Sequence, residues 1–272
     1  MARPVIALLT DFGVRDHYAG AMRGVALGIC PDATLVDITH DVEPRDVLGG
    51  ALELAAAFKY FPRGTVFLTV VDPGVGSSRR GIAAEAGDYT FVAPDNGLLT
   101  LAFREVPPTR VVELTESRYA RPTISRTFEG RDRFAPAAAW LATGIELTAL
   151  GRPLAAWHLL DIPEPTVGEG RIAGEVLRVD RFGNLVTNID RSAFDRLANG
   201  GAVDIAAADH VVPRLVATYA EADTGALCAL FDSGDRLEIA VSGGSAAVRL
   251  HLSRGAPVIV TRPERTVTST AL

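Results

Sequence analysis

The chain has little of several residues on which common folds and chemistries depend. Its 272 residues include only two cysteines, Cys30 and Cys228, far apart and in no Cys-x-x-Cys or Cys/His spacing. That argues against a disulfide framework and a zinc site, and makes a reducing cytoplasm the expected compartment. Lys59 is the single lysine, so Schiff-base chemistry has no other candidate. Basic residues do not dominate: 27 Lys+Arg face 33 Asp+Glu, a net charge of −6, which leaves no basic face for a nucleic acid. No apolar run approaches the roughly 18 residues of a membrane span, and neither membrane insertion nor export is expected. GxxxxGK[ST], GxSxG, HExxH and EF-hand patterns are all missing. The five histidines, His17, His40, His158, His210 and His251, form no sequence cluster. Triphosphate, serine-hydrolase and metal chemistry are therefore unsupported.

What is present is an ordinary globular composition, 48% hydrophobic and 22% charged, enough to bury a core in one large or two smaller domains. From Val5 to Phe103, β-branched runs alternate with helix-like stretches, which predicts βαβ units and an α/β domain with a mostly parallel central sheet. A helix is expected over Phe134–Leu141. Pro153, Pro163 and Pro165, followed by Gly168 and Gly170, mark a boundary. After it, short strands are expected at Ile172–Val179, Leu185–Ile189, Leu227–Phe231, Leu237–Val241, Ala247–Leu252 and Pro257–Thr261. These predict a smaller all-β, barrel-like domain. The expected layout is an α/β domain over 1–165, a barrel over 171–265 and a frayed tail over 266–272.

Polar, glycine-rich loops follow three expected strands: Thr10–Gly13, Asp72–Gly76 and Pro94–Gly97. Ligands of open parallel sheets bind at the carboxyl ends of strands, so these loops could share a crevice. Asp11 and Asp16 suit ribose hydroxyls, a metal, or simply turn and cap formation. Asp72 leaves an apolar strand into a glycine turn, and Arg79 returns seven residues later, as an orienting ion pair or a purely structural one. In Thr127–Phe134, Asp132 is a candidate helix N-cap, whereas Glu129, between Phe128 and Gly130, could be an acid, a base or a solvated charge. In the second domain Asp180, Phe182 and Asn184 occupy one tight turn. They could stack and read a purine, or merely make the turn.

Seven segments, in order, resemble one family: LLTDFGVRDHYAGAMRGV, DITHDVEPRD, VVDPGVGSSRR, APDNGLLT, FEGRDRFAPAAA, VDRFGNLVTNI and LEIAVSGGSAA. The chain resembles the S-adenosyl-L-methionine hydrolases (hydroxide adenosyltransferases), relatives of the fluorinating and chlorinating enzymes. The resemblance implies an α/β domain, a β-barrel domain and a homotrimer with sites between one subunit's first domain and its neighbour's second. It implies attack of water at the ribose C5′ of S-adenosyl-L-methionine, giving adenosine and L-methionine, with no metal or cofactor. It places the ribose on Asp11, with Asp16 nearby, and the adenine on Phe182, Asn184, the Val241–Gly243 backbone and the ring of Tyr219. Asp180 and Ser233 would hold the methionine amine and carboxylate, Glu238 would line the adenosine pocket, and Phe128 and Gly130 would be further substrate-binding residues.

The family handles water with an aspartate, an arginine and a histidine. Asp72 and Arg79 match; Glu129 stands where the histidine is expected, and beside Asp72 it should raise the pKa of one of the pair. Arg45 and Gly234 also depart from the pattern. Gly130 leaves room that a halide would need, so chloride transfer is an alternative, opposed by the two acids facing the nucleophile position. A non-catalytic adenosine or S-adenosylmethionine binder and a metal-dependent nucleoside hydrolase are the others.

Overall fold

The structure, a computed structural model, describes residues 3–263; the tail expected at 266–272 lies outside the described residues. The chain divides into two compact units, with the division between Asp161 and Ile162.

The first unit contains β1 (Val5–Thr10), α1 (Tyr18–Ile29), β2 (Thr34–Thr39), α2 (Val47–Ala57), β3 (Val66–Val70), β4 (Gly81–Ala86), β5 (Tyr89–Pro94), α3 (Thr100–Glu105), β6 (Pro108–Leu114), α4 (Ala135–Ala142) and β7 (Gly151–Pro153). Its sheet has the order β2-β1-β3-β5-β4-β6-β7. The pairings among β2, β1, β3 and β5 are parallel, whereas β4, β6 and β7 join through antiparallel ones. The expected mostly parallel sheet is thus a mixed one. The difference lies in β4, whose sequence GIAAEA has Ile82 as its single branched residue and gives little local signal of a strand. A short turn links it to β5, and such a connection permits only antiparallel pairing.

Alternation along β1 covers both faces of this sheet. Ile6 and Leu8 pack with Met22 and Ala26 of α1 and with the alanines of α4. Ala7 and Leu9 pack with Leu54, Phe58 and Phe91 on the other face. A strand buried on both sides reads as a continuous apolar run, as VIALL does. On α1, Ala19, Met22 and Ala26 are the buried positions, one helical stripe.

The second unit contains β8 (Thr166–Gly168), β9 (Arg171–Val179), β10 (Leu185–Asp190), α5 (Arg191–Ala198), β11 (Asp204–Ala207), β12 (His210–Val212), β13 (Leu227–Phe231), β14 (Arg236–Val241), α6 (Ala246–Leu250) and β15 (Pro257–Thr261). The strands run β12-β11-β15-β9-β10-β14-β13, with β8 on β9, all antiparallel. After β12, Val216 N donates to Ala229 O at 2.9 Å and Ala229 N donates to Arg214 O at 2.8 Å. The sheet therefore nearly closes on itself as a barrel around Ile172, Val176, Leu185, Ile239 and Val260.

One strand expected in this unit is a helix. Ala247–Leu252 mostly falls in α6, because Ser245 Oγ accepts from Val248 N at 3.2 Å at its start and His251, at φ 54°, ends it. Helix α5, unanticipated, is capped in the same way by Asp190, which accepts from Ala193 N at 2.7 Å. Among the described residues no helix is long and apolar enough to cross a membrane.

Candidate active site

Parallel β1, β3 and β5 send their following loops off the same edge of the first sheet. The third loop is structural: Asp95 accepts from Arg80 Nε at 2.8 Å and His158 N at 2.7 Å, and Asn96 Nδ2 donates to Val71 O at 2.8 Å. Asn96 thereby braces the chain directly before Asp72. The other two loops hold the candidate catalytic and ribose-binding residues.

Asp72, Arg79 and Glu129 form one buried cluster, with side-chain exposures of 4%, 8% and 12%. Arg79 Nε donates to Asp72 Oδ1 at 3.1 Å and Nη2 to Oδ2 at 2.5 Å. The same Nη2 donates to Glu129 Oε2 at 2.8 Å, and Nη1 donates to Arg80 O at 2.9 Å. The guanidinium also lies 5.3 Å from the centre of the Phe134 ring. A fork bonded on every side is rigid, so the two carboxylates it grips are fixed as well. Gly76 makes the arrangement possible: at φ 78°, a Cβ there would come within 2.5 Å of Arg126 O, so only glycine lets the 126–129 segment lie across the Asp72 loop. Burial raises the Asp72 pKa; Arg79 opposes the rise and the charge of Glu129 adds to it. The direction matches the expectation for one member of the acid pair, but burial rather than the neighbouring acid is its main cause.

Glu129 precedes a π-helical turn, Gly130–Phe134, that runs into α4. Asp132 is not the helix N-cap expected of it. It is buried within that turn, accepting from Ser125 N at 2.9 Å and from Arg131 Nε at 2.7 Å, which holds its carboxyl below the usual range. Gly130 differs from expectation too. A Cβ there would meet Met22 Sδ at 3.2 Å, Phe128 Cε2 at 3.4 Å and Phe12 Cζ at 3.5 Å, so the space beside its Cα is closely packed where open room was expected. Phe128 is buried, edge-on to Phe12 at 5.9 Å and Tyr18 at 5.1 Å between ring centres.

Asp11 is half-buried, and its Oδ2 accepts from Arg45 N at 2.7 Å. Burial raises its pKa against the pull of that bond. Arg45 reaches it from a left-handed backbone conformation, φ 69°. The backbone N–H of Arg45 is what bonds Asp11, and the charge of the Arg45 side chain further favours the ionised carboxyl. Asp16 is exposed, five residues further along the same loop. Behind the loop, buried His40 is hydrogen-bonded through Nδ1 to Thr10 Oγ1 at 2.8 Å, and His40 O accepts from Gly13 N at 2.7 Å.

In the second unit, Phe182, Asn184, Tyr219, Val241, Gly243 and Gly244 line a cavity of about 520 Å³, within the size range of small-molecule sites. Phe182 is 76% and Tyr219 46% exposed, which leaves both rings free to stack on a ligand in this cavity. Asp180 shapes the turn: its Oδ1 accepts from Phe182 N at 2.9 Å and Asn184 N at 2.8 Å, and its Oδ2 from Asn184 Nδ2 at 3.2 Å. Asn184 Nδ2 also approaches Tyr219 OH at 3.4 Å, and that hydroxyl donates to buried Glu238 Oε1 at 2.6 Å. Burial and then the bond to Glu238 push the Tyr219 hydroxyl well up. Burial likewise raises Glu238, with Asp180 and Asp232 adding to the rise and Tyr219 opposing it.

Ser233 stands exposed on the β13–β14 turn, outside the cavity lining. Asp232, not anticipated, organises that turn by accepting from Gly234 N at 2.8 Å and Arg236 N at 2.9 Å. Its sequence, Asp-Ser-Gly-Asp, reads as an ordinary hairpin and conceals its effect on Tyr219 and Glu238. Arg133, four residues after Glu129, was equally unanticipated. Among the described residues, no group of three or more His, Cys, Asp or Glu is arranged to hold a metal ion.

Residues 6–151 match the domain described as SAM hydroxide adenosyltransferase N-terminal, and residues 174–259 match its C-terminal counterpart. A Thermus thermophilus protein named (R)-S-adenosyl-L-methionine hydrolase is 40% identical over 94% of this chain and 98% of its own. A fluorinase of Nocardia brasiliensis is 31% identical over 95% of this chain and 97% of its own. An uncharacterized conserved protein from Thermotoga maritima, known by crystal structure, superposes with a TM-score of 0.89 at 37% identity, covering 94% of this chain and all of its own. With both domains matched in order and relatives spanning almost the full length, the chain belongs to the SAM hydroxide adenosyltransferase family.

Proposed function

We propose that the protein hydrolyses S-adenosyl-L-methionine by attack of water at the ribose C5′, releasing adenosine and L-methionine. The observation that carries this is the Asp72–Arg79–Glu129 cluster: two buried carboxylates on one guanidinium can orient and deprotonate a water but repel a halide. The hydrolase names of relatives at about 40% identity agree. Their (R) designation is carried over as the configuration at sulfur.

A sulfonium is already a good leaving group, so the protein's task is chiefly geometric: align one water behind C5′ and keep others away. Asp11 takes the ribose hydroxyls, with Asp16 beside them. Phe182 and Tyr219 sandwich the adenine, Asn184 and the Val241–Gly243 backbone read its edge, and Glu238 fixes the Tyr219 hydroxyl. Asp180 and Ser233 receive the amine and carboxylate of the methionine. Phe128 and Gly130 close the reacting end. The two sets of groups lie in different units, and the arrangement proposed is a homotrimer in which one subunit's first domain meets its neighbour's second. The compartment proposed is the cytoplasm, and no cofactor is required.

Incubation with S-adenosyl-L-methionine in ¹⁸O water, followed by chromatography and mass analysis, tests this. Label is expected in the 5′-hydroxyl of adenosine. Adenine release, or 5′-chloro-5′-deoxyadenosine formed in chloride, would overturn it.

A further inference from the structure

A second carboxylate beside Asp72 creates a charge problem. Asp72 and Glu129 are both buried and share Arg79, so two negative charges face one positive one where solvent can do little to compensate. The next turn supplies another cation. Arg133 lies four residues on, and its Nη2 is 3.9 Å from Glu129 Oε1, while Arg79 bonds the other oxygen, Oε2. An acid followed by a base at this spacing is the attractive order on a helical turn.

Packing holds the Arg133 guanidinium there. Nη1 donates to Leu114 O at 3.1 Å, whereas Nε is buried without a partner. Its stem passes Gly81, where a Cβ would sit 3.2 Å from Arg133 Cδ. An arginine left with an unpartnered buried nitrogen is not placed to optimise its own hydrogen bonds; its position does suit Glu129. The charged groups in contact with the two acids are Arg79, from the loop after β3, and Arg133. Arg121 and Arg131, nearby in sequence, pair with Asp132.

We propose that Arg133 is a positioning residue for the hydrolysis: its guanidinium holds the Glu129 carboxylate through Oε1, so that Arg79 stays committed to Asp72 and Asp72 takes the proton of the attacking water. As the water oxygen bonds C5′, the C5′–S bond breaks with its electron pair passing to the methionine sulfur. The water proton goes to the Asp72 carboxylate and then to solvent. This division of labour rests on the hydrolase reading above.

The test compares pH profiles of kcat, with KM, for wild type, Arg133→Met and Arg133→Lys. Without the cation the acid pair should bind its proton more tightly, so the acid limb of Arg133→Met should move up by about one pH unit. KM should stay within about twofold, and lysine should restore the limb. In a Glu129→Gln background, Arg133→Met should no longer move it. An unmoved limb in Arg133→Met, or an equal shift in the Glu129→Gln background, would show a purely structural role and overturn the proposal. Arg133→Gln, which can still donate to Leu114 O, serves if the methionine variant does not fold. Carboxyl ¹³C titration of Asp72 decides the same point without turnover: its midpoint should rise further in Arg133→Met, where Arg79 is drawn towards Glu129, and an unchanged midpoint overturns the proposal. Absence of adenosine release by wild type would remove the hydrolase reading instead, leaving that titration to judge Arg133.

Discussion

The two units each carry an acid cluster with a buried carboxylate, and the clusters are satisfied in different ways. In the first, Asp72 and Glu129 are answered by guanidinium groups. In the second, Asp180 and Glu238 are answered mainly by uncharged donors, namely two backbone N–H groups, the Asn184 amide and the Tyr219 hydroxyl, with Arg178 adding favourable charge to Glu238. A carboxylate pair gripped by cations is complete by itself and can work on a neutral water. Carboxylates held by neutral donors keep much of their negative potential, and such a site favours a cation. Under the proposed function the difference amounts to a division of tasks within one acidic protein: the first unit would prepare the nucleophile, and the second would select a positively charged ligand with an aromatic base.

The sharpest way to break this comparison is Arg79→Ala. Leaving buried Asp72 without its cation, and Glu129 with Arg133 alone, should destabilise the first unit by about 3–5 kcal/mol and lower kcat by at least about 10³-fold; thermal unfolding and single-turnover rates read the two effects. A variant retaining a tenth of wild-type turnover would show that the guanidinium is not central. The corresponding change in the second unit, Tyr219→Phe, keeps the stacking ring but removes the donor to Glu238. It should raise KM by about tenfold while kcat changes little, and a fall confined to kcat would contradict a binding role for this cluster.

The smallest effect concerns pH. Asp72 is raised above the ordinary carboxylate range by burial, so turnover should fall as pH drops through that raised value. Asp132 is lowered by its bond from Arg131. Its contribution to stability is therefore present above the unfolded carboxylate range and lost only as pH falls through its lowered folded value. Between these two there should be a window in which activity is lost while circular dichroism remains native. Coincident loss of both would show that the acid limb reports unfolding.

Much of the site was legible because each half is written in contiguous segments. Asp72 and Arg79 fall in one loop, Asp180, Phe182 and Asn184 in one turn, and a strand end or tight turn leaves few choices for where such side chains point. Contacts between distant segments were harder to read. Glu129 was singled out by its neighbours in sequence, but that it shares a single nitrogen of Arg79 with Asp72 is a tertiary fact. Asp232 looked like a hairpin residue, Asp132 like a helix cap and Gly130 like an empty space; each took its meaning from side chains brought in by other elements. Strand β4 failed for a related reason, since alanine-rich GIAAEA has no strong local preference and is drawn into the sheet by its neighbours.

By itself, the sequence determined the composition of both clusters, the two-part architecture and the family to which the chain belongs. These depend on residue type, on spacing within short segments and on their order along the chain. Tertiary structure alone decided which acids share a cation, which glycine is filled space and which strands run antiparallel. Those are properties of pairs distant in sequence, fixed only when burial removes water and each carboxylate must find its partner in the folded protein.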